Sequence, residues 1–91
     1  MFVAVCFDVS DDRKRRKVVK VLESFGRRVQ KSVFECWIGE KQFIELKQRI
    51  SKIGLPEGDL VRYYYLCQAC RKRIEFHGGP SPDPPARFHV V

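Results

Sequence analysis

The run Phe2-Val3-Ala4-Val5-Cys6-Phe7-Asp8 decides how the rest of the sequence is read. Six apolar, β-forming residues without a polar break suit a central strand buried on both faces better than an amphipathic helix. The run stops at a carboxylate, Asp8. Directly after it, Ser10, Asp11 and Asp12 offer N-cap chemistry, because their side-chain oxygens accept from the unpaired amides of a first helical turn. A strand therefore hands over to a helix within a few residues of Asp8.

The helix is carried by Val18, Val19, Leu22 and Phe25 at 3.6-residue spacing, and Gly26 is expected to close it as a left-handed C-cap. Its other face holds Arg13, Lys14, Arg15, Arg16, Lys17 and Lys20. Cations in a first turn oppose the helix dipole, so this face is either a solvated basic surface or one kept for an anionic partner. Residues 28–38 are extended in character, but the two-residue alternation breaks at Lys31-Ser32. A tight hairpin or a bulge there restores it, and Gly39 ends the strand.

Residues 40–53 read as a second amphipathic helix with Phe43, Leu46, Ile50 and Ile53 toward the core, Gly54 as its cap and Leu55–Gly58 as a turn. Asp59 to Leu66, rich in aromatic and β-branched residues, is a strand. A short extended piece is expected from Lys72 to His77, and the Gly/Pro-rich residues 78–85 form a stiff linker. Arg87-Phe88-His89-Val90-Val91 resumes alternation, as an added strand on a neighbouring sheet or as a frayed tail. The order β-α-β-β-α-β predicts an α+β, ferredoxin-like sandwich with an extra C-terminal strand. The domain is expected over residues 1–78, and a Pro-rich linker and tail over 79–91. Helices on one side leave the other sheet face open, and a homodimer through that face is the economical solution for 91 residues.

Composition narrows the function. Lys and Arg number 18 against 11 Asp and Glu, a net charge of +7, which favours polyanions, nucleic acid before anionic membrane. No apolar run approaches the roughly 20 residues of a membrane span. The start, Met1 to Phe7, lacks a basic leader and a cleavage site, so the chain is read as cytoplasmic and no membrane partner is expected. Cys6 and Cys36 sit inside apolar runs and read as small buried hydrophobes. Cys67 and Cys70 make a single C-x-x-C without the second pair of a structural zinc site. It also lacks the βαβ setting of a thioredoxin-type motif, which leaves reduced thiols. His77 and His89 are isolated.

Asp8 stands out from this short inventory. A carboxylate closing an apolar strand either caps the following turn or waits for a cation. One carboxylate is half a magnesium site, since Mg²⁺ takes one or two carboxylates with waters and substrate phosphates. A two-fold axis joining Asp8 of both subunits supplies the second, so dimer and metal form one linked hypothesis.

Two strings then become recognisable: Phe7-Asp8-Val9-Ser10-Asp11-Asp12-Arg13 and Gly26-Arg27-Arg28-Val29-Gln30-Lys31-Ser32-Val33-Phe34-Glu35. With Asp59–Cys67, they resemble the small CRISPR-associated adaptation protein family, the second numbered core family and partner of the CRISPR integrase. The resemblance covers residues 1–78. It implies a ferredoxin-like homodimer and a magnesium-dependent endonuclease on single-stranded RNA or double-stranded DNA, acting in spacer acquisition. Asp8 takes the position of the metal-binding, catalytic Asp, contributed by both subunits. Arg15, Lys17, Arg28 and Phe34 fall on accessory basic and aromatic positions, and Ser32 and Phe34 on the loop beside the metal.

Nucleic acid is expected on Arg13, Arg15, Arg16, Lys17, Arg28 and Lys31. Lys17 stands where some relatives carry Arg; it keeps the charge and loses the bidentate fork. Cys6-Phe7-Asp8 replaces a Tyr-Asp of many relatives. The competing class is a non-catalytic subunit that bridges duplex DNA within the integrase complex, with Asp8 only capping a turn. An RNA-binding module stacking bases on its sheet is set aside, because Tyr63, Tyr64 and Tyr65 cannot all face one side of a strand.

Overall fold

The structure, a computed structural model, describes residues 1–82. Its elements run β1 (Phe2–Asp8), α1 (Asp12–Glu23), β2 (Arg27–Gln30), β3 (Val33–Trp37), α2 (Glu40–Ser51), β4 (Leu60–Leu66) and α3 (Gln68–Arg71). The four strands form one sheet in the order β2-β3-β1-β4, every neighbour antiparallel. This is the expected ferredoxin-like α+β arrangement, with the apolar β1 run in the interior of the sheet.

Alternation sorts the sheet into two faces. Val3, Val5 and Phe7 of β1 join Phe34 and Cys36 of β3, Val18 and Leu22 of α1, and Leu46 and Ile50 of α2 in one core cluster. Full burial of such side chains contributes roughly 1.5–3 kcal/mol each, so this face carries the fold. On the opposite face Ala4 and Cys6 are only half-buried, which corrects the expectation that β1 is buried on both sides. Phe2 is the exception there: its ring meets the Trp37 ring edge-on at 4.8 Å, and Arg71 of α3 lies over the same Trp37 ring, also at 4.8 Å.

Both ways of repairing the break at Lys31-Ser32 occur. The chain turns at these two residues between β2 and β3, and the β2–β3 register shifts between Arg28 and Gln30. Gly26 follows a different logic from the one expected. Its φ is not positive, unlike those of Gly54, Gly58, Gly78 and Gly79. A Cβ at Gly26 would instead fall 2.5 Å from Cys36 Sγ and 2.9 Å from Cys36 Cα, and would also collide with the Glu35 carbonyl oxygen. Glycine is required because β3 passes against the backbone here, not because the chain turns left-handed.

After β4 the expected extended piece at Lys72–His77 is not a strand: α3 occupies 68–71 and the chain then continues without regular structure to residue 82. It runs over the open sheet face. Residues 75–80, with Val29, Val33 and Glu35, line a shallow cavity of about 340 Å³, and the Arg27 guanidinium donates to the Ser81 carbonyl at 2.6 Å. Part of the face expected to be open is thus covered by the chain's own segment. The alternating residues 87–91 lie outside the described residues. No helix among the described residues is long and apolar enough to cross a membrane.

Candidate metal and nucleic-acid site at the end of the first strand

Asp8 is the last residue of β1 and sits opposite Leu60, the first residue of β4. Its neighbour Phe7 is buried in the core, so alternation turns Asp8 outward, and its side chain is exposed. The capping role considered for it belongs to Asp11, whose carboxylate accepts from the Lys14 amide at 2.9 Å. Among the described residues no hydrogen bond or ion pair engages the Asp8 carboxylate. It is a carboxylate oxygen donor held at a fixed strand end, with no bonded partner among the described residues.

Asp8 lies in a groove of about 550 Å³ together with Phe7, Val9, Arg15, Arg28, Lys31 and Ser32. Four of the expected site residues besides Asp8 therefore share one depression, although they come from α1, β2 and the β2–β3 turn. The local bonding shows how each is placed. Arg15 donates to the Val9 carbonyl at 3.0 Å and pairs with Asp12, which folds its guanidinium back over the loop after β1. Arg28 donates through Nε and Nη2 to the Lys31 carbonyl at 3.1 and 2.6 Å, and so clamps the turn that carries Lys31. Ser32 contributes through its backbone, because its carbonyl accepts from the Phe7 amide at 3.0 Å. That bond fastens the turn one residue before Asp8.

Phe34 is fully buried. It packs on Phe7 with ring centroids 6.2 Å apart and carries Arg28 over its ring at 5.9 Å. Its place is the floor beneath the site, where it can hold Arg28 but cannot stack on a base. The remaining basic residues diverge. Arg15 and Arg16 share a groove of about 410 Å³ with Val19, Lys20, Glu23 and Arg28, which continues the basic lining along α1. Arg13 and Lys17 instead line a separate depression with Asp11, Asp12, Lys14, Arg16 and Pro56. Lys14 is tied down, since its ammonium donates to the Gly54 carbonyl at 2.7 Å.

Asp59 also supports the site, although its sequence context marks it only as the start of a strand. One of its carboxylate oxygens accepts from both the amide and the hydroxyl of Ser10, at 3.2 and 3.0 Å, which fixes the loop following Asp8 to the start of β4. The partners lie 49 positions apart, and no local pattern announces the contact. Lys20 was legible as part of the basic face but not as a member of the groove beside Arg28.

The chemistry available to one chain is limited. An exposed carboxylate offers a hard oxygen to a divalent cation, and no cluster of three or more His, Cys, Asp or Glu that could hold a metal occurs among the described residues. The basic lining beside it suits phosphate oxygens, which Arg and Lys engage by charge-assisted hydrogen bonds.

Comparison with known proteins agrees with this architecture. The sequence model of the family described as CRISPR associated protein Cas2 matches residues 1–74. A "CRISPR-associated endoribonuclease Cas2 1" of Chloroflexus aurantiacus is 39% identical, with 100% of each chain covered. Among solved structures, Streptococcus pyogenes Cas2 is similar with a TM-score of 0.73 and 34% identity, covering 86% of this chain and 100% of that one. A chain of a partial Cas6-RT-Cas1–Cas2 complex is similar with a TM-score of 0.71 and 29% identity, covering 99% and 95%. With the strand-end carboxylate, the four-stranded antiparallel sheet and the family match all over the same residues, this chain belongs to the CRISPR-associated Cas2 family.

Proposed function

We propose that the chain acts in CRISPR adaptation as a homodimeric, magnesium-dependent phosphodiester endonuclease on single-stranded RNA or double-stranded DNA, in the cytoplasm and in company with the integrase Cas1. The observation that carries this reading is Asp8: an exposed carboxylate with no protein partner among the described residues, at the fixed end of the central strand, in a groove it shares with Arg15, Arg28, Lys31 and Ser32. The names of similar proteins support both halves of it, one being an endoribonuclease and another belonging to a complex that includes Cas1.

The donor set fits Mg²⁺ as half a site. Asp8 would hold the ion in each chain, and Asp8 of the second subunit would supply the other carboxylate, with water and substrate phosphate completing the coordination. Held there, the ion would supply Lewis-acid polarisation of the phosphodiester and would make water a better nucleophile. The protein's own work is positional. Asp59 and the Ser32 carbonyl fix the two segments that flank Asp8. Arg28, locked on the Lys31 carbonyl, and Lys31 offer positive charge to the phosphates on either side of the scissile bond. Such contacts position a backbone without reading its sequence.

A second reading, a duplex-bridging scaffold subunit without catalysis, draws on a different observation. The groove lined by Arg16, Lys20 and Arg28 runs along α1 and does not include Asp8. It would grip duplex DNA whether or not Asp8 holds a metal. Heterodimers with one wild-type and one Asp8→Ala subunit separate the readings. The shared-metal nuclease predicts that one altered subunit abolishes cleavage and leaves duplex binding unchanged. Half the wild-type cleavage rate in the heterodimer would mean that each subunit cuts alone, and no cleavage by the wild-type dimer would leave the scaffold.

A further inference from the structure

The site at Asp8 makes no use of the Cys67/Cys70 pair. Both thiols are exposed, whereas Cys36 is buried and Cys6 half-buried. Cys67 has an extended backbone (φ −69°, ψ 168°) immediately before α3. The change of direction brings its sulfur back over the first turn, where the Cys70 amide donates to Cys67 Sγ at 3.4 Å. Neighbours one helical turn apart have Cβ atoms about 5–6 Å apart, and a disulfide needs about 3.5–4.5 Å. Side-chain rotation with a small backbone adjustment bridges that difference.

The turn that carries the pair is anchored. Arg71, next to Cys70, rests on the Trp37 ring at 4.8 Å, so the short helix is fastened to the sheet while its thiols face solvent. The two sulfurs are also unequal. Hydrogen bonds from Cys70 hold the Cys67 thiol below the ordinary cysteine range, and the same pairing pushes Cys70 up. The thiolate is the nucleophile in exchange, which assigns attack to Cys67 and resolution to Cys70. Burial pushes Cys36 up to about 12, which keeps it unreactive.

We infer that Cys67 and Cys70 form a reversible dithiol–disulfide site on the surface of this protein, oxidised by low-molecular-weight disulfides such as glutathione disulfide. The Cys67 thiolate attacks one sulfur of the oxidant, breaking its S–S bond and expelling one thiolate. Cys70 then loses its proton to solvent and attacks Cys67 Sγ, expelling the second thiolate and closing the Cys67–Cys70 bond. Two electrons pass from the protein dithiol to the small disulfide, which leaves as two thiols. Excess thiol reverses both steps.

The test uses the full chain equilibrated in buffers of varied glutathione disulfide to glutathione ratio, quenched by alkylation and mapped by peptide mass spectrometry. A Cys67–Cys70 disulfide should appear at oxidising ratios and vanish at reducing ones, with Cys36 unmodified throughout. Cys70→Ser should accumulate glutathione on Cys67, whose sulfur keeps the bond from the backbone amide of residue 70 and has no second thiol to resolve the mixed disulfide. No intramolecular disulfide at any ratio overturns the inference, and so does a Cys70→Ser protein that takes up no glutathione on Cys67. Neither readout depends on nuclease activity.

Discussion

Ser10 gives both its amide and its hydroxyl to a single oxygen of Asp59, at 3.2 and 3.0 Å. These bonds join the loop leaving Asp8 to the residue before β4. The other Asp59 oxygen is buried without a hydrogen-bond partner among the described residues. A buried carboxylate oxygen left in that condition is tolerated only where the bonds made by its twin are worth keeping. Asp59→Ala removes the acceptor of two donors, and the expected loss of stability is about 1–2 kcal/mol. Chemical denaturation measures it, and backbone hydrogen exchange at residues 9–11 should rise with it.

Gly26→Ala should be far more damaging than its conservative chemistry suggests. The added methyl would press on the Cys36 Cα and sulfur at 2.9 and 2.5 Å, and a strand backbone cannot yield as a flexible side chain does. Overpacking of this kind costs about 2–3 kcal/mol, readable as a lowered denaturation midpoint. A change of a few tenths would mean that β2 and β3 can shift away from α1.

The basic surface falls into three depressions, one at Asp8, one along α1 and one near Pro56, with Arg16 shared by the last two, and substitutions should divide with it. Neutralising Arg16 and Lys20, which lie in the groove with Arg28, should weaken duplex binding and lower the salt dependence by roughly one phosphate contact per cation removed. Neutralising Arg13 and Lys17, in the separate depression near Pro56, should cost less. Filter binding over a range of salt concentrations distinguishes the pairs, and equal losses would mean that the backbone crosses α1 rather than following it.

Glu35 lies on the open sheet face opposite Arg27 in the β2–β3 register. Burial holds its carboxyl above the ordinary glutamate range, and Arg27 only partly offsets this. The folded chain therefore tolerates the protonated form better. That contribution is complete below the unfolded-state glutamate value and is lost as pH rises through the folded one. Glu35→Gln should accordingly stabilise the protein near neutral pH, and the gain should disappear in acid. Denaturation curves for both proteins across pH check the sign.

Much of this architecture is written in local periodicity. The apolar β1 run, the helical spacing of Val18, Leu22 and Phe25, and the broken alternation at Lys31-Ser32 each name their element, because burial of one face selects one period. Asp8 was legible for the same reason, as the polar residue that closes an apolar strand. What stayed hidden depends on contacts between distant segments. The need for Gly26 is set by β3 rather than by its own turn. Ser32 acts through a carbonyl that any residue could provide, and Phe34 belongs to the core although it follows a basic turn. The path of residues 72–82 over the sheet has no period to read, and the same residues that suggested a strand pack there irregularly.

The proposed chemistry needs Asp8 and a divalent cation, so it is tested by cleavage of end-labelled single-stranded RNA and duplex DNA with Mg²⁺ or EDTA, comparing wild type with Asp8→Ala. Asp8 is exposed and has no bonded partner among the described residues, so the variant should keep the wild-type fold and thermal midpoint. Mg²⁺-dependent cleavage by the wild type is expected, abolished by EDTA and by the substitution. Cleavage that persists in Asp8→Ala, or that ignores EDTA, would contradict it.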